Sequence, residues 1–346
     1  MKRVFAVFVC AAVLFCGCGK KVDKKMQTTR EEVIPVIIDV DTGTDDAIAL
    51  AFARKSAVLE VRGVTVVQGC VGLEQAGANT LAVCDHIGLQ APVALGAQRP
   101  LVGEPITDPV NHGESGLGSV ELPQPKMEFS ELSASELIWQ EAQACEGKLQ
   151  IVALGPLTNV ARALQEHPEL KEMIARVVAA CGEGGENHPI EFNAKNDPEA
   201  LQYVIDSGVR LTIYDQQTTE ASWGFDMGTT KDGRYTSTLN VLAEKYPDNT
   251  MTPLFKGVGK SWLGNYLYSV YPIIWLNVNE AHNDLDYQNN WVRLCYDWCR
   301  VTCDTSTGPN RGRTTFTIGE GGPVQWVFFS STSAFLEVDT LAQCYQ

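Results

Sequence analysis

The 11 cysteines of this chain include no C-x-x-C pair, and the sequence has no Pro/Gly/Ser-rich linker, no internal repeat and no low-complexity block. Lack of close cysteine pairs argues against a zinc knuckle. With no linker or repeat there is no seam at which to split the chain into separate folding units. Basic residues are scarce as well: 27 Lys and Arg against 42 Asp and Glu give a formal net charge of -15. Binding a phosphate backbone requires clustered Lys and Arg, so nucleic acid is excluded as a partner. The acidity suits solubility or the binding of a cation.

The apolar segment Val4 to Phe15 falls short of the ~20 residues of a membrane-spanning helix. Lys2 and Arg3 precede it and "FCGCGKK" follows, the layout of a secretion signal. Its small-residue end before Cys18 resembles the cleavage box of bacterial lipoproteins, although Phe15 stands where Leu is more usual. Cys18 would then carry a lipid and anchor the protein in the bacterial cell envelope, on the periplasmic or extracellular side, with plain secretion as the alternative. The expected organisation is a signal peptide over 1–18, a charged flexible tether over 19–32 and a single domain over 33–346, since about 315 residues suit one large α/β domain. Loss of Cys10 and Cys16 with the signal, and of Cys18 to lipid, leaves eight cysteines. Structural or disulfide roles are expected for these in an oxidising compartment. In "CYDWCRVTC" the four-residue period of Cys295, Cys299 and Cys303 suits one face of a helix or a strand.

Short apolar runs alternate with helical patterns. "VIPVIIDV", "LEVRGVTVV", "APVALGA", "LQIVALG", "ARVVAA" and "VRLTIYD" read as buried parallel strands. "DDAIALAFARKS", "EQAGANTLAVCDHIG", "LTNVARALQEHPELKEMI" and "DPEALQYVIDSG" read as crossover helices between them. The pattern predicts an α/β fold with an open, mostly parallel, Rossmann-like central sheet and helices on both faces. After Gln217 it weakens: "YPIIWLNVNE" and "NNWVRLCYDWCRVTC" are aromatic-rich and of open type, and "TTFTI…VQWVFFSS" reads as strands.

Ligands of such sheets bind at the carboxyl ends of strands, where Asp39, Asp41, Asp45 and Asp46 fall within eight residues. One Asp would suffice to cap the helix. Four, with Gly43 turning the chain, point to converging oxygens of the kind a hard cation such as Ca²⁺ requires. "DVDTGT" is also superficially similar to the aspartate pair of haloacid-dehalogenase-type phosphatases, but the Gly-Thr pair is displaced by one residue and a second acidic pair opens the helix.

"DVDTGTDDAIAL" closely resembles the D-x-D-x-G-x-D-D signature of the inosine-uridine-preferring nucleoside hydrolases. The resemblance continues in order through "GVTVVQG", "PVALGAQRPL", "NHGESGLG", "GPLTNVARAL", "EFNAKNDPEA" and "TGPNRGRT". It implies the nucleoside hydrolase fold and calcium-dependent hydrolysis of the N-glycosidic bond of ribonucleosides, giving ribose and free base. It further implies Asp41 and Asp46 as Ca²⁺ ligands, Asp41 also as the base toward water, and the backbone carbonyl of Leu154 as another ligand. Asp45, Glu191, Asn193 and Asn187 would grip the ribose hydroxyls, Asp39 would orient its neighbours, and His112 would lie near the nucleobase. Asp197 before Pro198 reads as a helix cap instead. The family's late His-Asp or Tyr-Asp pair, whose Asp binds calcium, is matched to His282 and Asp284 of "AHNDLDYQ"; "VYPIIWL" resembles the helix that follows the pair but has no Asp between Tyr271 and Pro272. Cys70 stands in place of a usual Asn, and Ser115 in place of a common acid. Homologues form dimers or tetramers. These departures keep open a non-catalytic sugar- or nucleoside-binding lipoprotein on the same fold, or a hydrolase of another glycoside. Base preference would come from the segments around Trp223 and Asn279.

Overall fold

The computed structural model describes residues 33–183, 188–217, 238–259, 268–279, 293–319, 322–331 and 342–345. Nine strands form one sheet: β1 Ile34–Val40, β2 Leu59–Val66, β3 Val93–Leu95, β4 Gln150–Ala153, β5 Arg176–Ala180, β6 Leu211–Tyr214, β7 Arg293–Cys303, β8 Thr314–Ile318 and β9 Val324–Ser331. Their order is β3-β2-β1-β4-β5-β6-β9-β7-β8. From β3 to β9 every neighbouring pair is parallel, and β7 pairs antiparallel with both β9 and β8. The six strands read from the apolar runs are β1 to β6, which together with β9 make up the parallel part of the sheet.

Parallel strands joined by crossover helices are covered on both faces, so their residues are apolar on both sides. β1 illustrates the result. Val36, Ile38 and Val40 face a core shared with helices α1 (Thr44–Lys55) and α2 (Leu73–Ile87), whereas Ile37 faces a second core shared with helices Ala134–Ala144, Thr158–Glu166 and Pro198–Ser207. Full burial of such side chains stabilises the fold by about 1.5–3 kcal/mol each relative to exposure.

The two segments of open type resolve differently. "VYPIIWLNVN" is the helix Val270–Asn279, with Ile273, Trp275 and Leu276 buried. "RLCYDWCRVTC" is strand β7. Residues four apart on a strand share a face, and Cys299 and Cys303 are accordingly buried in the same core. Cys70, Cys84, Cys145, Cys181, Cys299, Cys303 and Cys344 are free thiols, so the expected disulfides do not form among these seven. Burial pushes the Cys84 and Cys303 thiols up to about 12.

Candidate active site

The chain leaves β1 toward β2 on one side of the sheet and β4 toward β5 on the other. Neighbouring strands whose connections diverge open a crevice at their carboxyl ends, the usual ligand position in this architecture. Here Asp39 and Asp41 end β1, and Leu154 ends β4. The backbone N–H of Leu154 donates to the Asp39 carbonyl at 2.8 Å, which ties the two ends together.

Asp39 is held by two donors from neighbouring elements. Its Oδ1 accepts from Thr65 Oγ1 at 2.5 Å and from Asn159 Nδ2 at 2.7 Å, joining β1 to β2 and to the helix after β4. Burial raises its carboxyl to about 7 against the pull of those two donors.

Asp41 lines the pocket and is 6 % exposed. Its Oδ2 accepts the Cys70 N–H at 2.6 Å, its carbonyl accepts the Cys70 thiol at 3.1 Å, and its own N–H donates to Asp46 Oδ2 at 3.1 Å. The approach of the β2 loop depends on Gly69, where a Cβ would lie 1.9 Å from Asp41 Oδ2. Cys70, which replaces the usual Asn, thus contacts Asp41 through both its backbone and its side chain.

The aspartates at the start of α1 do not act as simple caps. Gly43 is the cap residue, and no side chain caps the helix there. Asp45 Oδ2 instead accepts from the N–H and hydroxyl of Ser269 at 3.1 and 2.8 Å, and its Oδ1 lies 3.9 Å from His112 Nδ1. The same imidazole nitrogen accepts the Thr44 N–H at 3.3 Å. That bond places the ring proton of a neutral His112 on Nε2. Asp46 is 1 % exposed, and its Oδ1 has no hydrogen-bond partner among the described residues. Burial first, and then the charges of Asp41 and Asp45, push the Asp46 carboxyl well up, partly offset by the Ser269 hydroxyl. Asp41 is raised mainly by burial.

Across the crevice Glu191 caps the short helix Phe192–Asn196. It accepts N–H groups from Asn193 at 2.8 Å, Ala194 at 2.9 Å and Gly182 at 3.1 Å. Burial nevertheless raises it to about 7. Asn193 Nδ2 donates to the carbonyls of Leu154 at 2.7 Å and Ala180 at 2.9 Å, which leaves its Oδ1 as an acceptor. Asp197 caps helix Pro198–Ser207 by accepting the Ala200 N–H at 3.0 Å, the structural role expected of it.

These groups line a pocket of about 100 Å³ that opens to solvent. The structure brings together Asp41, Asp45, His112, Leu154, Glu191 and Asn193, with Asp46 buried behind them. Asn187, His282 and Asp284 lie outside the described residues. Asp108, Asn111, Phe192, Gln216, Tyr268 and Ser269 line the pocket without having been singled out from the sequence. A signal existed for Tyr268 and Ser269, which immediately precede the "VYPIIWL" helix. The other four carry no pattern beyond their proximity to recognised motifs.

The donor chemistry fits a hard, oxygen-preferring cation on one side of the pocket. Asp41 and Asp45 line it, Asp46 is buried behind them with one carboxylate oxygen that meets no partner among the described residues, and Leu154 at the end of β4 lines the same space. Among the described residues, however, no group of three or more His, Cys, Asp or Glu side chains is arranged to hold a metal ion.

A doubly wound α/β sheet with a carboxylate-rich pocket at its switch point defines a protein built to hold a small, hydroxyl-bearing ligand. Comparison with known proteins narrows the class. The family model described as inosine-uridine preferring nucleoside hydrolase matches residues 36–327. The chain belongs to this family, which is metal-dependent. It is 37% identical over 184 residues to uridine nucleosidase 1 of Arabidopsis thaliana, a match covering 51% of this chain and 55% of the relative. It is 39% identical over 184 residues to the pyrimidine-specific ribonucleoside hydrolase RihA of Klebsiella pneumoniae, covering 52% and 59%. The matched stretch thus spans little more than half of these curated relatives. Among solved structures, the fold is similar to a purine-preferring ribonucleoside hydrolase from Gardnerella vaginalis, with TM-score 0.73, 23% identity, and coverage of 90% of this chain and 98% of that one. The inosine-uridine preferring nucleoside hydrolase of Bacillus anthracis gives 0.67, 20% identity, and coverage of 90% and 100%.

Proposed function

We propose that this protein hydrolyses the N-glycosidic bond of ribonucleosides, releasing ribose and free base, with Ca²⁺ as its cation. The observation that carries the reading is the convergence of Asp41, Asp45, Glu191 and Asn193 on one pocket at the switch point of the sheet. The activities for which the relatives are named, uridine nucleosidase and ribonucleoside hydrolase, support it.

Asp41 and Asp46, with the Leu154 carbonyl, would hold the cation. When bound, it would supply Lewis acidity and offset the mutual repulsion of the carboxylates. Asp45 Oδ1 and Asn193 Oδ1 accept from the sugar hydroxyls, and Glu191 fixes the backbone that carries Asn193. Asp41, whose carboxyl is raised by burial, takes the proton from the attacking water. As the C–N bond breaks, positive charge develops on the sugar, and the carboxylates of Asp41 and Asp45 stabilise it. The electron pair of that bond leaves with the base, and His112 Nε2 carries a proton suited to meet it.

We further infer a lipid on Cys18 and residence in the bacterial cell envelope, with residues 33–346 as one domain and a dimer or tetramer as the assembly. The second reading, a sugar- or nucleoside-binding protein without catalysis, is favoured by one observation: the described residues do not complete a metal cage. Assay of free ribose from a panel of purine and pyrimidine ribonucleosides separates the two. Release supports the hydrolase; tight nucleoside binding without release supports the binder.

A further inference from the structure

Asp41, Asp45 and Asp46 all come from one corner of the pocket, where β1 turns into α1. The facing wall includes Tyr268 and Ser269, which lead into the helix Val270–Asn279, and the side chain of Gln216. Among the described residues that wall offers phenol, hydroxyl and amide groups and no carboxylate. The two remaining acids of the pocket are engaged elsewhere. Glu191 holds the N–H groups of Gly182, Asn193 and Ala194, and Asp108 holds the backbone N–H and side-chain amide of Asn111 at 3.2 and 2.6 Å.

Ser269 is fixed against the acidic corner by its two bonds to Asp45 Oδ2. A carboxylate there would bring a further anionic oxygen to the described lining of the pocket, next to Asp45. A hydroxyl adds no charge. Hard-cation affinity rises with the number of charged ligands and with the rigidity of the cage. We propose that Ser269 is the residue that keeps this cation site one-sided, so that the protein binds a divalent cation weakly and a single carboxylate at this position would close the cage. The inference rests on reading the pocket as a cation site, and not on hydrolysis taking place there.

The test is calorimetric titration of the metal-free, full-length protein with Ca²⁺, alongside thermal unfolding with and without Ca²⁺. It compares the unmodified protein, Ser269→Asp, Ser269→Asn and Asp284→Asn. The unmodified protein is expected to bind with a Kd of about 10⁻⁴ M or weaker, in the range of low-affinity extracellular sites. Ser269→Asp should tighten binding at least about tenfold and raise the Ca²⁺-dependent shift in unfolding temperature. Ser269→Asn, similar in size to Asp but uncharged, should do neither, and Asp284→Asn should leave the affinity of the unmodified protein unchanged. Submicromolar binding by the unmodified protein, loss of binding in Asp284→Asn, or no gain in Ser269→Asp would overturn the inference. Should Ser269→Asp fail to fold, the titrations of the unmodified and Asp284→Asn proteins still decide it. Absence of ribose release, with the affinities as expected, would defeat the hydrolase reading and leave this one standing.

Discussion

The backbone N–H of Asp41 donates to Asp46 Oδ2 at 3.1 Å, while Asp46 Oδ1, equally buried, meets no partner among the described residues. Half of one carboxylate therefore holds the turn after β1 together, and the other half has no counterpart among the described residues. A buried, unsatisfied carboxylate oxygen costs stability unless a ligand compensates it.

Asp46→Asn keeps the shape and removes the charge. Without metal, at pH 8, the variant should be more stable than the parent by about 1 kcal/mol or more, because the parent must either bury a charge there or take up a proton on folding. With Ca²⁺ the order should reverse, since the variant loses a charged ligand. Thermal melts of both proteins, each with chelator and with excess Ca²⁺, check both halves.

Gly69→Ala would place a methyl group in the space of Asp41 Oδ2, 1.9 Å away. Either the carboxylate or the β2 loop must move. Displacing a reacting group by about 1 Å is expected to lower kcat/KM on the order of 10²-fold. Circular dichroism should remain native, which separates displacement of the base from global unfolding.

Glu191 gives a pH dependence with a defined sign. Its folded value of about 7 lies above its ordinary value of 4.5, so the protonated form is favoured by folding. Its contribution to stability is complete below the ordinary value and is lost as the pH rises through about 7. Melting temperatures of the metal-free protein should fall across this interval, and Glu191→Gln should flatten the part due to this residue. An unchanged slope in the variant would assign the decline to other groups.

His112→Ala should lower kcat for natural nucleosides by about 10²-fold, the usual range for loss of a general acid. Ribosides whose leaving group departs without a proton should be affected far less. Equal losses for both substrate types would make His112 a structural partner of Thr44 and Asp45 rather than a proton donor.

Much of this arrangement was legible in the sequence because it rests on periodicity and on one dense motif. Six apolar runs correspond to β1 through β6, and the order of β1 beside β4 brings the aspartates to the switch point. Asp41, Asp45, Glu191 and Asn193 converge as their motifs implied. Leu154 was harder to see, because the group that matters is a carbonyl and any side chain could carry it. Tyr268 and Ser269 were legible only by their position ahead of the "VYPIIWL" helix, because a hydroxyl carries no charge pattern of its own. β7 stayed open because its aromatic and cysteine pattern suits a helix and a strand alike, and its antiparallel pairing with β8 and β9 is a long-range choice that local pattern does not contain. The expected disulfides followed from compartment and count, whereas pairing depends on distances set by the fold.

The central claim is metal-assisted cleavage of ribonucleosides, and the direct measurement is free ribose released by the protein lacking its first 18 residues, from a panel of purine and pyrimidine ribonucleosides. The account predicts release that stops on chelation and returns with added Ca²⁺, with at least one base class preferred. A folded, calcium-saturated protein that releases no ribose from any nucleoside would contradict it.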